Sequence, residues 1–417
     1  MRVAVVAEFY PRDADPVLGV WAHRQALAAR DAGAEITVFV LHRLVPPKAR
    51  PWAAPALARQ PRFERRDGLD VHYVRYVSPP RGRSYARWGA WSAPSLRRAL
   101  ERAAPFDLVH AHNAVPAGDA VLRAHVGLPL VTSVHGGDVL WTSSRVPRGL
   151  ETVDRVYRAS RLVLANSSGI ESLVRGHGAH HTLVVHLGTD VPAPRDENRD
   201  HTDGGRGDPP HDENGDHTDG GRGDRAAGER GDPTRSARGD SPLIVTVAHL
   251  VARKRHADVL EALAELPGVR YLVIGDGPER ANLQRRAIEL GVSSRVEFAG
   301  QLAPAEALAR ARTAACFVMP STEEAFGVAY IEAMAAGIPA IGCAGEPGPA
   351  EIAAAGGGIE LVAPRAPSEL AACLRRLLGD RDEMRRVGAA ARATVEREFT
   401  WQRCGERTVL AYAEALR

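Results

Sequence analysis

The sequence predicts an α/β protein built as two Rossmann-like, doubly wound parallel-sheet domains facing across a cleft, and three observations carry that prediction. Short apolar runs rich in valine and isoleucine alternate with amphipathic helical stretches, and the alternation starts afresh after an interruption near the middle of the chain. The length, 417 residues, also exceeds what one hydrophobic core holds comfortably. Strands buried on both faces of a parallel sheet read as continuous apolar runs, with crossover helices between them.

In the first half the strands are "RVAVVAEF", "EITVFVL", "DLVHAH", "LPLVTSVH", "RLVLAN" and "TLVVHLG". The segment "VWAHRQALAARDAG" between the first two has apolar positions at helical spacing and Gly33 as its stop. The second half restarts at "SPLIVTVAHL" and continues through "VRYLVIGDGP", "RVEFAGQL", "AACFVMPS", "IPAIGCAG" and "GIELVAP", after which residues 367–417 read as helices alone. Between the halves, "DENRDHTDGGRGDPPH" at 196–211 is followed by "DENGDHTDGGRGD" at 212–224, a tandem repeat without aromatic or aliphatic side chains. Such a segment buries too little to order itself and reads as a linker. The resulting division is a first domain over 1–191, a linker over 192–241, a second domain over 242–399 and a terminal helix over 400–417 packing back on the first domain.

A formal net charge of +3 on this length gives no reason to expect a nucleic-acid partner. Cys316, Cys343, Cys373 and Cys404 lack the paired spacing of a zinc or redox site, so reduced thiols in a cytoplasm are expected. "MRVAVVAEFYP" reads as a first strand rather than a leader, and no apolar run approaches the ~18 residues of a membrane span, which leaves peripheral contact as the expected kind.

Ligands in open parallel sheets bind beyond the carboxyl ends of strands. There "EAFGVAYIE" opens a helix, with Glu324 just outside it, Glu332 about one turn inside, and Phe326, Gly327 and Val328 at the N-terminus, where free N–H groups and the helix dipole attract an anion. Two carboxylates flanking an anion site suit a ligand with hydroxyls on either side of a diphosphate, as in a nucleotide-sugar; acids that merely serve the helix dipole are the plain alternative. Arg253, Lys254 and Arg255 form a basic cluster in the loop after "LIVTVAHL", either beside that diphosphate or as a solvated loop. "IGDGPER" offers only G-x-G, so neither half carries a dinucleotide fingerprint. His135 ends a strand beside Gly136 and Gly137, which favours a ligand loop, while His110 and His112 share one strand face and read equally as hydrogen-bonded core. Asp13 and Asp15 form a D-x-D triplet of the sort that arises by chance, and a cationic diphosphate site makes a metal unnecessary.

Taken together and in order, "VHAHNAVPAG", "SVHGGD", "AHLVARKRH", "IGDGPER", "FAGQLAPAE" and "EAFGVAYIEAMAAGIPAIG" resemble the GT-B glycosyltransferases of the family 4 type, which retain anomeric configuration. The resemblance implies that Glu324 binds donor-sugar hydroxyls near the reacting carbon, that Glu332 holds the ribose, and that the amides of Phe326 to Val328 bind the distal phosphate. It further implies Lys254 on the diphosphate, His135 on the donor sugar, Gly19 in the loop over the phosphates, and Leu302 at the position whose backbone reads the base. His249 stands where the family often has arginine, so Arg253 or Arg255 is expected to supply the missing charge. No metal or other cofactor is implied, the nucleotide-sugar being a substrate.

The implied activity is sugar transfer from a nucleotide-sugar to a glycan or lipid-linked acceptor in cell-surface polysaccharide or glycolipid synthesis, in the cytoplasm or on the inner face of the membrane. A nucleotide-sugar 2-epimerase of the same architecture and a non-catalytic sugar-binding protein are the competing classes; a product assay without acceptor separates the enzymes, and intact Glu324, Glu332 and Lys254 argue against a decayed site. Residues 79–103, "PPRGRSYARWGAWSAPSLRRALERA", mix arginine and tryptophan as a segment touching anionic membrane would, or as a solvated surface helix would.

Overall fold

The computed structural model describes residues 1–13, 15–44, 60–193 and 241–417. The repeat at 196–224, and the linker assigned around it, lies outside the described residues.

Each half forms one sheet. The first holds β1 (Arg2–Ala7), β2 (Glu35–Arg43), β3 (Phe63–Arg66), β4 (Leu69–Tyr76), β5 (Leu108–His112), β6 (Leu130–Val134), β7 (Leu162–Ala165) and β8 (Thr182–Val184). Their order is β3-β4-β2-β1-β5-β6-β7-β8. The second holds β9 (Leu243–Val247), β10 (Arg270–Ile274), β11 (Val296–Gly300), β12 (Cys316–Val318), β13 (Ala340–Cys343) and β14 (Ile359–Val362), in the order β11-β10-β9-β12-β13-β14. Every pairing is parallel except β3 with β4. Buried valine, leucine and isoleucine fill both faces of each sheet, as the continuous apolar runs require. Strand order reverses at β1/β5 and at β9/β12, and these switch points aim the loops after β1, β5, β9 and β12 at the crevice where a ligand binds.

The helices that build the site are α1 (Val20–Asp31), α2 (Trp88–Ala103), α3 (His256–Ala264), α4 (Val328–Ala335) and α5 (Trp401–Ala415). Helix α5 lies on α1: Gly405 leaves room for the Ala28 carbonyl, Gln25 Nε2 donates to Thr408 Oγ1 at 3.2 Å, and the Tyr412 hydroxyl meets His110 Nδ1 at 2.7 Å. The chain passes between the two domains at two adjacent points, for the Thr189 amide donates to the Phe399 carbonyl at 2.8 Å beside a bridge from Thr189 to Thr400.

Two features depart from the sequence reading. Strands β3 and β4 form a hairpin, unforeseen above, around Asp67 and Gly68, whose φ values of 48° and 82° make the D-G turn that suits the twist of the flanking strands. The tryptophans of residues 79–103 also do not form an outward face. Trp88 is 4% exposed, takes the Arg43 guanidinium over its ring at 4.9 Å and donates Nε1–H to Ser84 Oγ at 3.0 Å, while Trp91 packs partly buried on the same core. Arg83, Arg87, Arg97, Arg98 and Arg102 remain outside. Apolar anchoring of the first core outweighed exposure, so the outer face is cationic without a tryptophan wedge. Trp88→Ala is expected to cost about 3–5 kcal/mol of unfolding free energy in a urea titration, the range for truncating a buried aromatic.

Candidate functional site

The site is assembled from the loop after β9 and the loop after β12. Beyond β12 the chain runs through Met319 and Ser321 to Glu323, held at φ 56°, and reaches Gly327 at φ 86° before α4 begins. A side chain at Gly327 would collide with the Tyr330 ring, and the left-handed backbone already favours glycine there. The Tyr330 hydroxyl donates to the Met319 carbonyl and the Gly348 amide donates to the Glu324 carbonyl at 3.0 Å, so the loop is fixed at both ends. The N–H groups of Gly327 and Val328 donate to no group among the described residues, as the first turn of a helix leaves them.

Glu324 is 8% exposed and forms an ion pair with Lys254, 70 residues away in the loop after β9. Ser321 Oγ donates to the same Glu324 oxygen at 2.9 Å, and Lys254 Nζ also lies 3.5 Å from Met319 Sδ. Burial by itself would raise the Glu324 pKa, but the charge and hydrogen bond of Lys254, the Arg253 charge and Ser321 outweigh it, and the carboxyl is held below its usual range. Lys254 and Glu324 are therefore brought together, ion-paired and shielded from water.

A cavity of about 730 Å³ opens between the two domains; Ala329 and Glu332 of α4 are in its wall, while Lys254, Glu324, Gly327 and Val328 are not among its lining residues. Val17, Val20 and Arg24 line it from the first domain, Val247 to His249, Gly275, Asp276, Gln301, Leu302 and Glu332 from the second, and Thr189, Asp190 and Trp401 from the crossing points. Gly19 sits at φ 69° before α1, pressed against the backbone of Phe9 and Tyr10, and so sets the turn that brings Val17 and Val20 to the cavity. Burial, reinforced by the Asp190 charge and opposed by Arg24, pushes the Glu332 carboxyl up to about 7. Arg24 is itself engaged, paired to Asp190 and lying over the Trp401 ring at 5.3 Å.

The other candidates fall in several places. His135 follows β6 at the crevice, its ring tilted 54° to that of Trp21 of α1 with centroids 5.9 Å apart, and the next residue, Gly136, lies against Ala325 of the Glu324 loop. Burial lowers its pKa to about 3, so the ring is neutral. Asp138 caps a turn instead of facing ligand, accepting from the amides of Ala114 and Val115 and from the Tyr157 hydroxyl. The Phe326 side chain is buried, stacked on His186 at 5.8 Å, which leaves only its backbone near α4. Arg253 is exposed and bonded to the Glu323 carbonyl at 3.4 Å, outside the cavity lining. Arg255 pairs with Asp258 at 2.5 Å on α3, a local partner three residues away, and like Arg253 is not among the cavity-lining residues, whereas His249 is. Asp13 is likewise paired, to Arg66 at 2.8 Å.

Sequence reasoning did not find Arg24, Thr189, Asp190 or Trp401. They carry no motif, and only the adjacency of the two crossing points gathers them at one wall. Gly275 and Asp276, from "IGDGPER", line the cavity.

With this geometry in view, the comparisons divide the chain as its two sheets do. The family model "Glycosyltransferase Family 4" matches residues 18–192 and "Glycosyl transferases group 1" matches residues 232–394. A lipopolysaccharide core biosynthesis glycosyltransferase, LpsE, of Rhizobium meliloti is 39% identical over 101 residues, 24% of this chain and 29% of that protein. A D-inositol 3-phosphate glycosyltransferase of Nocardia farcinica is 34% identical over 188 residues, 42% of this chain and 41% of that protein. Each match thus spans less than half of the relative's own length. Among solved structures, the Anabaena protein HepE in complex with UDP and glucose superposes with a TM-score of 0.69 over 99% of both chains at 18% identity, a likeness of fold.

The Glu332 environment makes a prediction. Its carboxyl rises from the ordinary 4.5 to about 7 in the folded chain, so between those values the folded state holds a proton that the unfolded state has lost, and stability falls as pH rises through that window. Glu332→Gln removes this loss. The variant's unfolding free energy relative to wild type is expected to climb from about pH 5 to pH 7 and then level off; a difference independent of pH would refute the shift.

Proposed function

We propose that this chain, which belongs to the group 1 glycosyltransferases of the GT-B fold, moves a sugar from a nucleotide-sugar donor to an acceptor hydroxyl with retention of configuration. The observation that carries the reading is the sealed Lys254–Glu324 pair at the free N-terminus of α4, next to a cavity between the domains whose wall includes Glu332 of the same helix. A diphosphate laid against Lys254 and the amides of Gly327 and Val328 has its charge met there. Glu324, kept ionised by Lys254, accepts hydrogen bonds from sugar hydroxyls on one side, and Glu332 accepts from the ribose on the other. Leu302 and its neighbours take the base, with the Gly19 turn closing over the phosphates.

In the reaction the acceptor oxygen attacks the anomeric carbon from the side of the leaving group. The bond from that carbon to the diphosphate breaks with its electrons on the phosphate oxygen, which takes the proton of the acceptor hydroxyl. No protein nucleophile enters, and the chain contributes electrostatics: Lys254 and the helix N-terminus meet the growing negative charge, a kind of contact worth ~3–4 kcal/mol per donor. The same groups supply the charge a metal would, so no resident metal is assigned. The resemblance to LpsE supports a place in lipopolysaccharide or related glycan synthesis.

Thermal shift against UDP-, GDP- and ADP-sugars is expected to single out one nucleotide, since preferential binding to the folded chain raises apparent stability. With that donor, Glu324→Gln is expected to lower kcat by about 10²–10³ while the nucleotide shift persists; wild-type turnover in the variant, or no shift with any of the three, overturns the reading. The arginines outside α2 also suit peripheral contact with an anionic membrane. More protein should sediment with anionic than with neutral vesicles, and salt should abolish the difference; equal sedimentation refutes the contact.

A further inference from the structure

His186 precedes the crossing at Thr189 by three residues and stands among groups from both domains. Its ring lies on that of Phe326, with centroids 5.8 Å apart and planes 12° from parallel, and Phe399 meets both rings edge-on, 5.1 Å from His186 and 5.7 Å from Phe326. His186 Nε2 is 2.7 Å from Glu351 Oε1, on the second-domain helix Pro347–Ala355, and Arg407 Nη1 of α5 is 3.4 Å from its Nδ1. The other Glu351 oxygen accepts from the Ser168 amide at 3.0 Å and from the Ser168 hydroxyl.

The chemistry of the partners fixes the ring. The His186 hydrogen bond, joined by those of Ser168, overcomes burial and holds the Glu351 carboxyl down to about 2. An ionised carboxylate only accepts, so Nε2 carries hydrogen; a guanidinium only donates, so Nδ1 offers it a lone pair. An apolar side chain would pack on Phe326 equally well but would lack this direction. The helix that carries Glu351 also holds Phe326 by its backbone: the Gly348 amide donates to the Glu324 carbonyl at 3.0 Å, and a side chain at Gly348 would overlap the Phe326 carbonyl. Phe326 is therefore gripped at ring and backbone by one His186–Glu351 unit. Directly after it come Gly327 and Val328, half-buried and with free amides, and then Ala329 in the cavity wall.

We propose that His186 is a positioning residue: through Phe326 and Glu351 it holds the amides of Gly327 and Val328 where they meet the distal phosphate of the donor. The phosphate rests on the glycosyl-transfer reading; the hold on the two amides does not. A side chain of the first domain thus shapes an anion site whose donors all belong to the second, and has them oriented before the ligand arrives, as preorganised stabilisation requires.

The test uses the full chain. In ¹H–¹⁵N spectra recorded without ligand, the Gly327 and Val328 signals are expected to move in His186→Ala. With the nucleotide that thermal shift singles out, calorimetry is run on its diphosphate and its monophosphate. His186→Ala is expected to lose about tenfold in affinity for the diphosphate, the scale of one charge-assisted hydrogen bond, and to bind the monophosphate as the wild type does, which also reports a folded site. Phe326→Leu should lose a similar factor, and the double variant no more than either alone, because both act through one stack. Unmoved amide signals, equal losses for the two nucleotides, or losses that multiply in the double variant overturn the proposal. Moved signals, together with a wild-type chain that prefers the diphosphate of no nucleotide, leave it standing and overturn the glycosyl-transfer reading.

Discussion

One buried ion pair organises the second domain's half of the crevice. Lys254 and Glu324 come from loops that follow different strands, β9 and β12, yet they form one ion pair, with Ser321 and the Arg253 charge also supporting the carboxylate. Removing one partner of such a pair typically costs 3–5 kcal/mol, because the remaining charge is stranded away from water. The pair thereby locks two loops into one surface and fixes where α4 begins. From there contacts extend across the crevice: Arg145 reaches Glu323 at 2.6 Å, Ser167 donates to the Ala325 carbonyl at 2.9 Å, and Glu351 takes His186 at 2.7 Å and the Ser168 amide at 3.0 Å. The segment bearing Glu324 is thus one of the places where the domains touch.

The two sheets contribute different chemistry. The second presents charges, Lys254 and Glu324, with free amides at a helix start. The first presents neutral rings held dry, His112 and His135, together with Trp21. Burial explains both: it strengthens an ion pair that is complete and forces an unpaired imidazole to remain uncharged. Carboxyls without a full partner respond in the opposite sense, as at Glu332, and at Glu8, which accepts from the Tyr85 hydroxyl at 2.6 Å and is raised by burial to about 7.

Much of this was legible in the residues. Continuous apolar runs locate β1, β2 and β5 to β14 because buried parallel strands need no polar face. The grouping of Glu324, Gly327 and Glu332 was visible because all three lie in one short stretch at a helix start, whereas Lys254 stands 70 residues away and meets only Glu324 of the three. The hairpin β3–β4 was passed over although Asp67-Gly68 announces it, since its strands are half-polar at a sheet edge. What no reading along the chain reveals is which partner each charge finds. Arg255 turned to Asp258, three residues away, while Arg24 met Asp190 from 166 residues away. The inward turn of Trp88 was hidden for the same reason: a tryptophan among arginines looks alike whether it faces lipid or core.

The adjacency of Thr189 and Thr400 has a mechanical meaning. The end of the first domain and the start of α5 meet at this bridge, and Asp190 and Trp401, the residues next to it, are wall panels of the cavity. A guest in that chamber leans on the bridge itself. That wall is therefore built from residues far apart in the chain and joined only by the fold.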